Sequence, residues 1–104
     1  MQSNVQRDAV VHLRPAPSMA VINLTSIVGS AFGGRYTVQV DAAGQLKADP
    51  SLWLVQVRLY GRKFGPYAVL LVSAATGQVT TGTYFDALQQ ADASFLARAF
   101  GAAS

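Results

Sequence analysis

The clearest pattern in this chain is a two-residue alternation of apolar and polar positions, which is typical of β-strands. Residues 35–40 place large apolar side chains at every second position, as in a strand with one buried face. Residues 53–60 alternate in the same way but carry large side chains in both sets of positions, which predicts a central strand. Between them, an aspartate and a glycine bound the segment 41–44. We therefore expect a type I turn there and a short return strand at 45–48.

A second group of signals lies in the C-terminal half and predicts a β-hairpin. The segment Tyr67–Val72 is nearly all apolar, as a strand covered on both faces would be. The segment Ala74–Gln78 follows, with Gly77 at a position where a turn needs positive φ. Val79–Tyr84 then leads back as the second strand.

After the hairpin, the spacing of apolar residues changes to that of an amphipathic helix. Asp86 is predicted as its N-cap, with Gln89 three residues later as in a capping box, and Gly101 ends the run. One helical face carries Leu88, Ala91, Phe95, Leu96 and Ala99. We predict that the three largest of these side chains, Leu88, Phe95 and Leu96, are buried against the sheet.

The N-terminal part of the chain is less regular. The segment Val5–Leu13 is a strand candidate that Pro15 and Pro17 end. Residues 18–32 leave two alternatives open, because their apolar spacing suits a helix while their β-branched content suits a strand. We favour the strand here, since strand patterns dominate the rest of the chain.

Together these elements predict an α+β fold: a small antiparallel β-sheet of five or six strands with one C-terminal helix packed on the sheet. At 104 residues the chain is long enough for one core and too short for two. We expect residues 1–17 to form an extended N-terminal arm and residues 18–104 to form a single domain.

Composition adds a prediction about partners. Apolar residues make up 51% and charged residues 12% of the chain, against a usual charged share of about 25%. So few charges predict that part of the surface is covered by other copies of the chain or by other structural proteins. The alternative is a monomer whose polar surface comes from Ser, Thr and Gln.

The reactive side chains are too few to predict a catalytic or metal site. There is no cysteine and one histidine, His12, which has apolar neighbours and no nucleophile or carboxylate beside it. We therefore expect no catalytic residues, no metal and no cofactor. The net charge of +3 is scattered, so no nucleic acid is expected. No segment has the length of a membrane span or the pattern of a signal peptide, which favours a cytoplasmic or virion location.

One group of residues is suited to binding. The loop from Gly61 to Tyr67 and the strand before it bring cations close to aromatic rings, a combination that can contact a sugar or an acidic protein surface. The candidate binding residues are Arg58, Arg62, Lys63, Phe64 and Tyr67. The alternative is a solvated loop between two strands.

The segment Phe64–Asp86 also carries a family resemblance. A glycine-bounded loop, an apolar strand, a turn with Thr76-Gly77 and the pair Phe85-Asp86 before a helix resemble the core of the interleukin-like EMT inducer domain, also called the PANDER-like or GG domain. That family usually has Arg-Gly at Phe64-Gly65, and it continues into further strands. The resemblance implies a non-catalytic module that binds carbohydrate or protein, as found on phage tail proteins. The hairpin also resembles that of cystatin-like PepSY modules.

The sequence thus predicts a non-enzymatic structural or assembly subunit that makes protein–protein contacts in a larger oligomer, such as the tail or capsid of a phage virion. The alternative is a carbohydrate- or protein-binding module that uses the loop from Gly61 to Tyr67, with a glycan as ligand.

Overall fold

The computed structural model describes residues 9–13 and 19–101, with side-chain surroundings for residues 19–99. Five strands form one antiparallel sheet in the order β1-β2-β3-β4-β5, and the described residues also form two helices. The elements are β1 (Ala9–Leu13), α1 (Met19–Ala31), β2 (Thr37–Leu46), β3 (Leu52–Tyr60), β4 (Tyr67–Ser73), β5 (Gln78–Phe85) and α2 (Leu88–Leu96), which a π-helical turn (Ala97–Gly101) continues. The predicted α+β fold with a C-terminal helix packed on the sheet is confirmed.

The two helices cover opposite faces of the sheet. On one face, Leu24 and Val28 of α1 pack against side chains of β3 and β4, including Val57 and Leu70. On the other face, α2 packs against Leu54 and Val69. The central strand β3 is therefore buried on both sides, as its two sets of large side chains predict. The predicted hairpin is also confirmed, with β4 and β5 joined by a turn at residues 74–77.

The favoured interpretation of residues 18–32 as a strand is wrong, because Met19–Ala31 is a helix. Leu24 and Val28, four residues apart, are 2% and 0% exposed, so packing on the sheet outweighs the β-branched composition. The helix ends in a Schellman motif: the N–H of Gly34 donates to the carbonyl of Gly29 at 3.0 Å, and Gly33 has φ of 66°. Residue 18 lies outside the described residues.

The turn predicted at residues 41–44 is also wrong, because β2 runs without interruption from Thr37 to Leu46. Its pairing with β3 shifts by one residue between Val40 and Ala42, which makes Asp41 the extra residue of a β-bulge. Ala42, Ala43 and Gly44 are buried. Small residues are common in turns, but these three lie in a strand whose two faces are both covered by helices.

The true connection from β2 to β3 lies at residues 47–51. There the carboxylate of Asp49 accepts hydrogen bonds from the hydroxyl of Ser51 at 2.6 Å and from its backbone N–H at 3.1 Å. These two bonds lower the pKa of Asp49. The aspartate therefore stabilises this turn through its own side chain.

The C-terminal helix agrees with the prediction in part. Phe95 is 0% exposed, whereas Leu96 is 40% exposed and Leu88 is half-buried, so the predicted burial of Leu96 is wrong. Asp86 is not the N-cap: that position is Ala87, which makes no side-chain capping bond. The reason is that Asp86 accepts a hydrogen bond from a different part of the chain, the loop between β3 and β4.

The division into an arm at residues 1–17 and a domain at residues 18–104 stays a prediction. Within that arm, residues 1–8 and 14–17 lie outside the described residues, and Ala9–Leu13 forms β1, which pairs with β2. Among the described residues, neither helix has the length and apolar character that crossing a bilayer requires.

Candidate functional site

The five candidate binding residues lie around the loop between β3 and β4, but the sheet divides them. Arg58 and Tyr67 are cross-strand partners in β3 and β4 and lie on the face that α2 covers. Arg62 lies over Tyr84, on the side of the sheet where α1 packs. Lys63 and Phe64 are exposed at the loop between the two faces. The group is therefore not one binding surface.

On the α2 side, Arg58 belongs to a network of polar side chains. Its guanidinium lies 5.3 Å from the centre of the Tyr67 ring and 3.6 Å from the carboxylate of Asp41. Burial of Arg58 disfavours its charged form, but Asp41, Tyr60 and Tyr67 outweigh this effect and raise the pKa of Arg58 above its ordinary value. The bulge in β2 brings Asp41 into this position. Arg58 is thus held by its neighbours on the sheet.

A groove of about 470 Å³ continues this network toward α2. At its floor the buried amide of Gln56 donates to the carboxylate of Asp92 at 2.6 Å, which ties β3 to α2. One carboxylate oxygen of Asp41 and the Nε of Arg58 are buried without a hydrogen-bond partner. The remaining lining comes from Ala42, Leu88, Phe95 and Leu96.

On the other side, Arg62 fixes the loop by two contacts. Its guanidinium lies 4.4 Å from the centre of the Tyr84 ring, and its Nε–H donates to the backbone carbonyl of Phe64 at 2.7 Å. A cation at this distance from an aromatic face is attracted by the ring. Arg62 is therefore engaged within the protein, and Lys63 is the cation of this loop that is exposed to solvent.

Asp86 fixes the same loop from the end of β5. Its carboxylate accepts a hydrogen bond of 2.7 Å from the backbone N–H of Gly65. Gly65 is buried, and a Cβ placed on it would lie 2.9 Å from the Cβ of Tyr84. The loop and the end of β5 thus lie so close together that position 65 has no room for a side chain.

This close approach gives a prediction for Gly65→Ala. Gly65 has φ of 62°, which costs an alanine about 1 to 2 kcal/mol, and the contact with Tyr84 adds a steric cost. The matched control is Gly77→Ala, because Gly77 has φ of 69° but nothing within 4 Å of the added Cβ. Urea denaturation should show that Gly65→Ala loses at least about 1 kcal/mol more than Gly77→Ala. Equal losses would contradict the close packing of this loop on β5.

The fixed loop presents an aromatic side chain to solvent. Phe64 is 78% exposed, and Tyr84 on β5, which lies against the following residue Gly65, is 41% exposed. Arg62 and Asp86 hold the two ends of the peptide group that joins Phe64 to Gly65, so the ring is displayed from an ordered loop. Aromatic side chains, phenylalanine included, are enriched at the centres of protein–protein interfaces.

The strand beside this loop, β5, lies at an edge of the sheet. β5 is last in the strand order, and among residues 9–13 and 19–101 only β4 pairs with it. Six of its eight residues are exposed, and none is charged or proline. Edge strands usually carry lysine or proline, which block pairing with another chain. We call this feature, the outer edge of Gln78–Phe85, the β5 edge.

Sequence reasoning found Phe64 but missed Tyr84, Asp86 and the β5 edge. A signal for the edge is present in the sequence, because no charged residue lies between Lys63 and Asp86. The sequence pattern does not predict the order of the strands in the sheet. Without that order, β5 cannot be identified as an edge strand.

Among the residues that the structure describes, no group of three or more His, Asp or Glu side chains is placed to hold a metal ion. No family model, no curated protein and no solved structure matches this chain. The resemblances to the interleukin-like EMT inducer domain and to PepSY modules therefore stay predictions.

Proposed function

We propose that this protein is a non-enzymatic assembly module that takes a strand of another protein chain onto its β5 edge, with Phe64 as an anchoring side chain. The observation that carries the proposal is the β5 edge itself: a long, exposed strand with no charge and no proline. The backbone N–H and C=O groups on the outer side of such a strand form a template for pairing.

The surroundings of the edge support this role. The two faces of the sheet are covered by α1 and α2, so the sheet extends most readily at its edges. Phe64 and Tyr84 lie at one end of β5 and supply apolar area that strand pairing alone lacks. Lys63 adds a positive charge beside them, at the rim, where charge affects association rate more than affinity.

The same geometry favours protein assembly over sugar binding at the loop. A sugar site would use Arg58, Arg62 and Tyr67 together, and these residues are divided between the two faces of the sheet. That the chain binds a glycan, lacks catalytic activity or belongs to a phage particle stays a prediction, and assembly at the β5 edge does not depend on any of the three.

Site-specific photo-crosslinking tests the proposal. The photoreactive residue p-benzoylphenylalanine at position 64, in cells that naturally produce the protein, should crosslink to a defined segment of a protein chain, identified by mass spectrometry. The control position is Gln89, which is exposed on α2. Adding Thr83→Lys on the β5 edge should abolish the crosslink. A crosslink from position 64 no stronger than from position 89, or one insensitive to Thr83→Lys, would overturn the proposal.

A further inference from the structure

We infer that the strand received by the β5 edge is β5 of a second copy of this chain, paired antiparallel about a two-fold axis near Thr83. This inference rests on the proposed function and names its partner. In such a pairing β5 of one copy lies against β5 of the other. A charged side chain near the axis would therefore lie close to the same side chain of the second copy. The strand β5 itself carries no charged residue. The guanidinium of Arg62, which lies over the Tyr84 ring, is held by that ring and by the Phe64 carbonyl of its own copy. The side chains of the edge strand therefore bring no like charges together across the axis.

A β-bulge determines which residues can pair. The register between β4 and β5 shifts where Leu71 pairs with Thr81 and Val72 with Val79, so Thr80 is the extra residue. The hydroxyl of Thr80 donates to the backbone carbonyl of Leu71 at 3.0 Å. Bulges bend a strand and end regular pairing. The regular part of the edge is therefore Thr81–Phe85, and Thr83 is its centre.

Centring the axis on Thr83 brings compatible side chains together. Thr83 lies opposite Thr83 of the second copy, and paired threonines stabilise antiparallel strands. Gly82 lies opposite Tyr84 of the second copy. Gly82 cannot be replaced without movement, because a Cβ there would lie 2.6 Å from Cδ2 of Leu70.

The loop between β3 and β4 enlarges the contact. A five-residue strand pair alone falls short of the roughly 800 Å² per partner that stable interfaces bury. Phe64, 78% exposed, lies at the C-terminal end of β5, because its neighbour Gly65 is bonded to Asp86. In the antiparallel pair this end of one copy meets the bulged end of β5 in the other. Phe64 thus lies where it adds apolar area on both sides of the axis.

Single-cysteine variants test the register, and the absence of any native cysteine makes them unambiguous. Cross-strand Cβ atoms lie about 5 Å apart, within reach of a disulfide after small shifts. Thr83→Cys should therefore form a covalent dimer on oxidation. Thr81→Cys is the matched control, because its two copies would lie about 13 Å apart along the strands. A disulfide that forms equally or more readily at position 81 would overturn the inference.

Light scattering on the purified chain tests the dimer itself. The wild type at high micromolar concentration should have twice the mass of one chain, and Thr83→Lys should have the mass of one. Gln89→Lys adds the same charge on α2 and should remain dimeric. Circular dichroism should show all three folded, since positions 83 and 89 are exposed.

A monomeric wild type would overturn the inference. If position 64 still crosslinks to a different protein, the proposed function stands; if it crosslinks to nothing, both fall.

Discussion

Replacing Phe95 with alanine is expected to lower the free energy of unfolding by about 3 to 5 kcal/mol, as measured by urea denaturation. Phe95 is 0% exposed and packs with Leu54, Val69 and Ala91 where α2 meets the sheet. The substitution removes a large apolar side chain and leaves a cavity between α2 and a sheet whose position is fixed by α1 on the other side. Such a cavity closes only in part, so most of the packing energy is lost.

The matched control for Phe95 is its neighbour Leu96, which is 40% exposed. Leu96→Ala should cost about 1 kcal/mol, because a large part of this side chain stays in water and its removal leaves no enclosed cavity. A loss of that small size in both variants would show that α2 does not pack on the sheet as described. The two variants together also test whether Phe95 is more deeply buried than Leu96, since the sequence predicts both residues to be buried.

Leu24→Ala is expected to have the second largest effect, a loss of about 2 to 5 kcal/mol in the free energy of unfolding. Leu24 is 2% exposed and belongs to the cluster between α1 and the sheet. Its loss removes packing from the face opposite α2, so it should add to that of Phe95→Ala when the two are combined. Thermal or urea unfolding measures both variants in one series.

Ile22 provides the control on α1. It is 55% exposed, and Ile22→Ala should change the stability little while it raises the helix propensity. If residues 19–31 were a strand, positions 22 and 24 would lie on the same face and the two substitutions would have similar effects. Similar losses for Ile22→Ala and Leu24→Ala would therefore contradict the helix.

The strands that could be predicted from sequence are those whose burial follows a simple rule. β3 has large side chains on both faces because both faces are covered, and the hairpin turn has glycine at Gly77, where φ is 69°. Phe95 was predicted correctly because a phenylalanine at helical spacing from Ala91 has few alternatives to the core. In each case one local pattern leads to one structure.

The helix α1 could not be predicted in this way because two local rules disagree. β-branched residues favour a strand, while the spacing of Leu24 and Val28 favours a helix, and the sheet face that decides between them is formed by distant residues. One local signal was available: Gly33 and Gly34 follow the last helical residue as a Schellman motif requires. From the sequence alone, however, two adjacent glycines mark the end of a helix or of a strand equally well.

The sequence predicts which residues lie around the loop between β3 and β4 but not how their side chains are arranged. Arg62 and Phe64 do lie in one loop, but that loop is also held by Asp86, twenty-one positions after Gly65, which accepts a hydrogen bond from the N–H of Gly65. In the sequence Asp86 is explained by its position before a helix, and nothing local indicates its hydrogen bond with Gly65. Asp41 was likewise assigned to a turn, since a β-bulge has no distinct sequence pattern here.

The strand order described above gives the sheet two different edges, β1 and β5, so the two ways of pairing β5 with another copy have different symmetry. Pairing β5 with β5 uses the same edge in both copies, so the contact is isologous and joins two chains only. Pairing β5 with β1 would be heterologous and would leave one edge of each kind free at every step. Such a chain of contacts either closes into a ring or continues as a fibre.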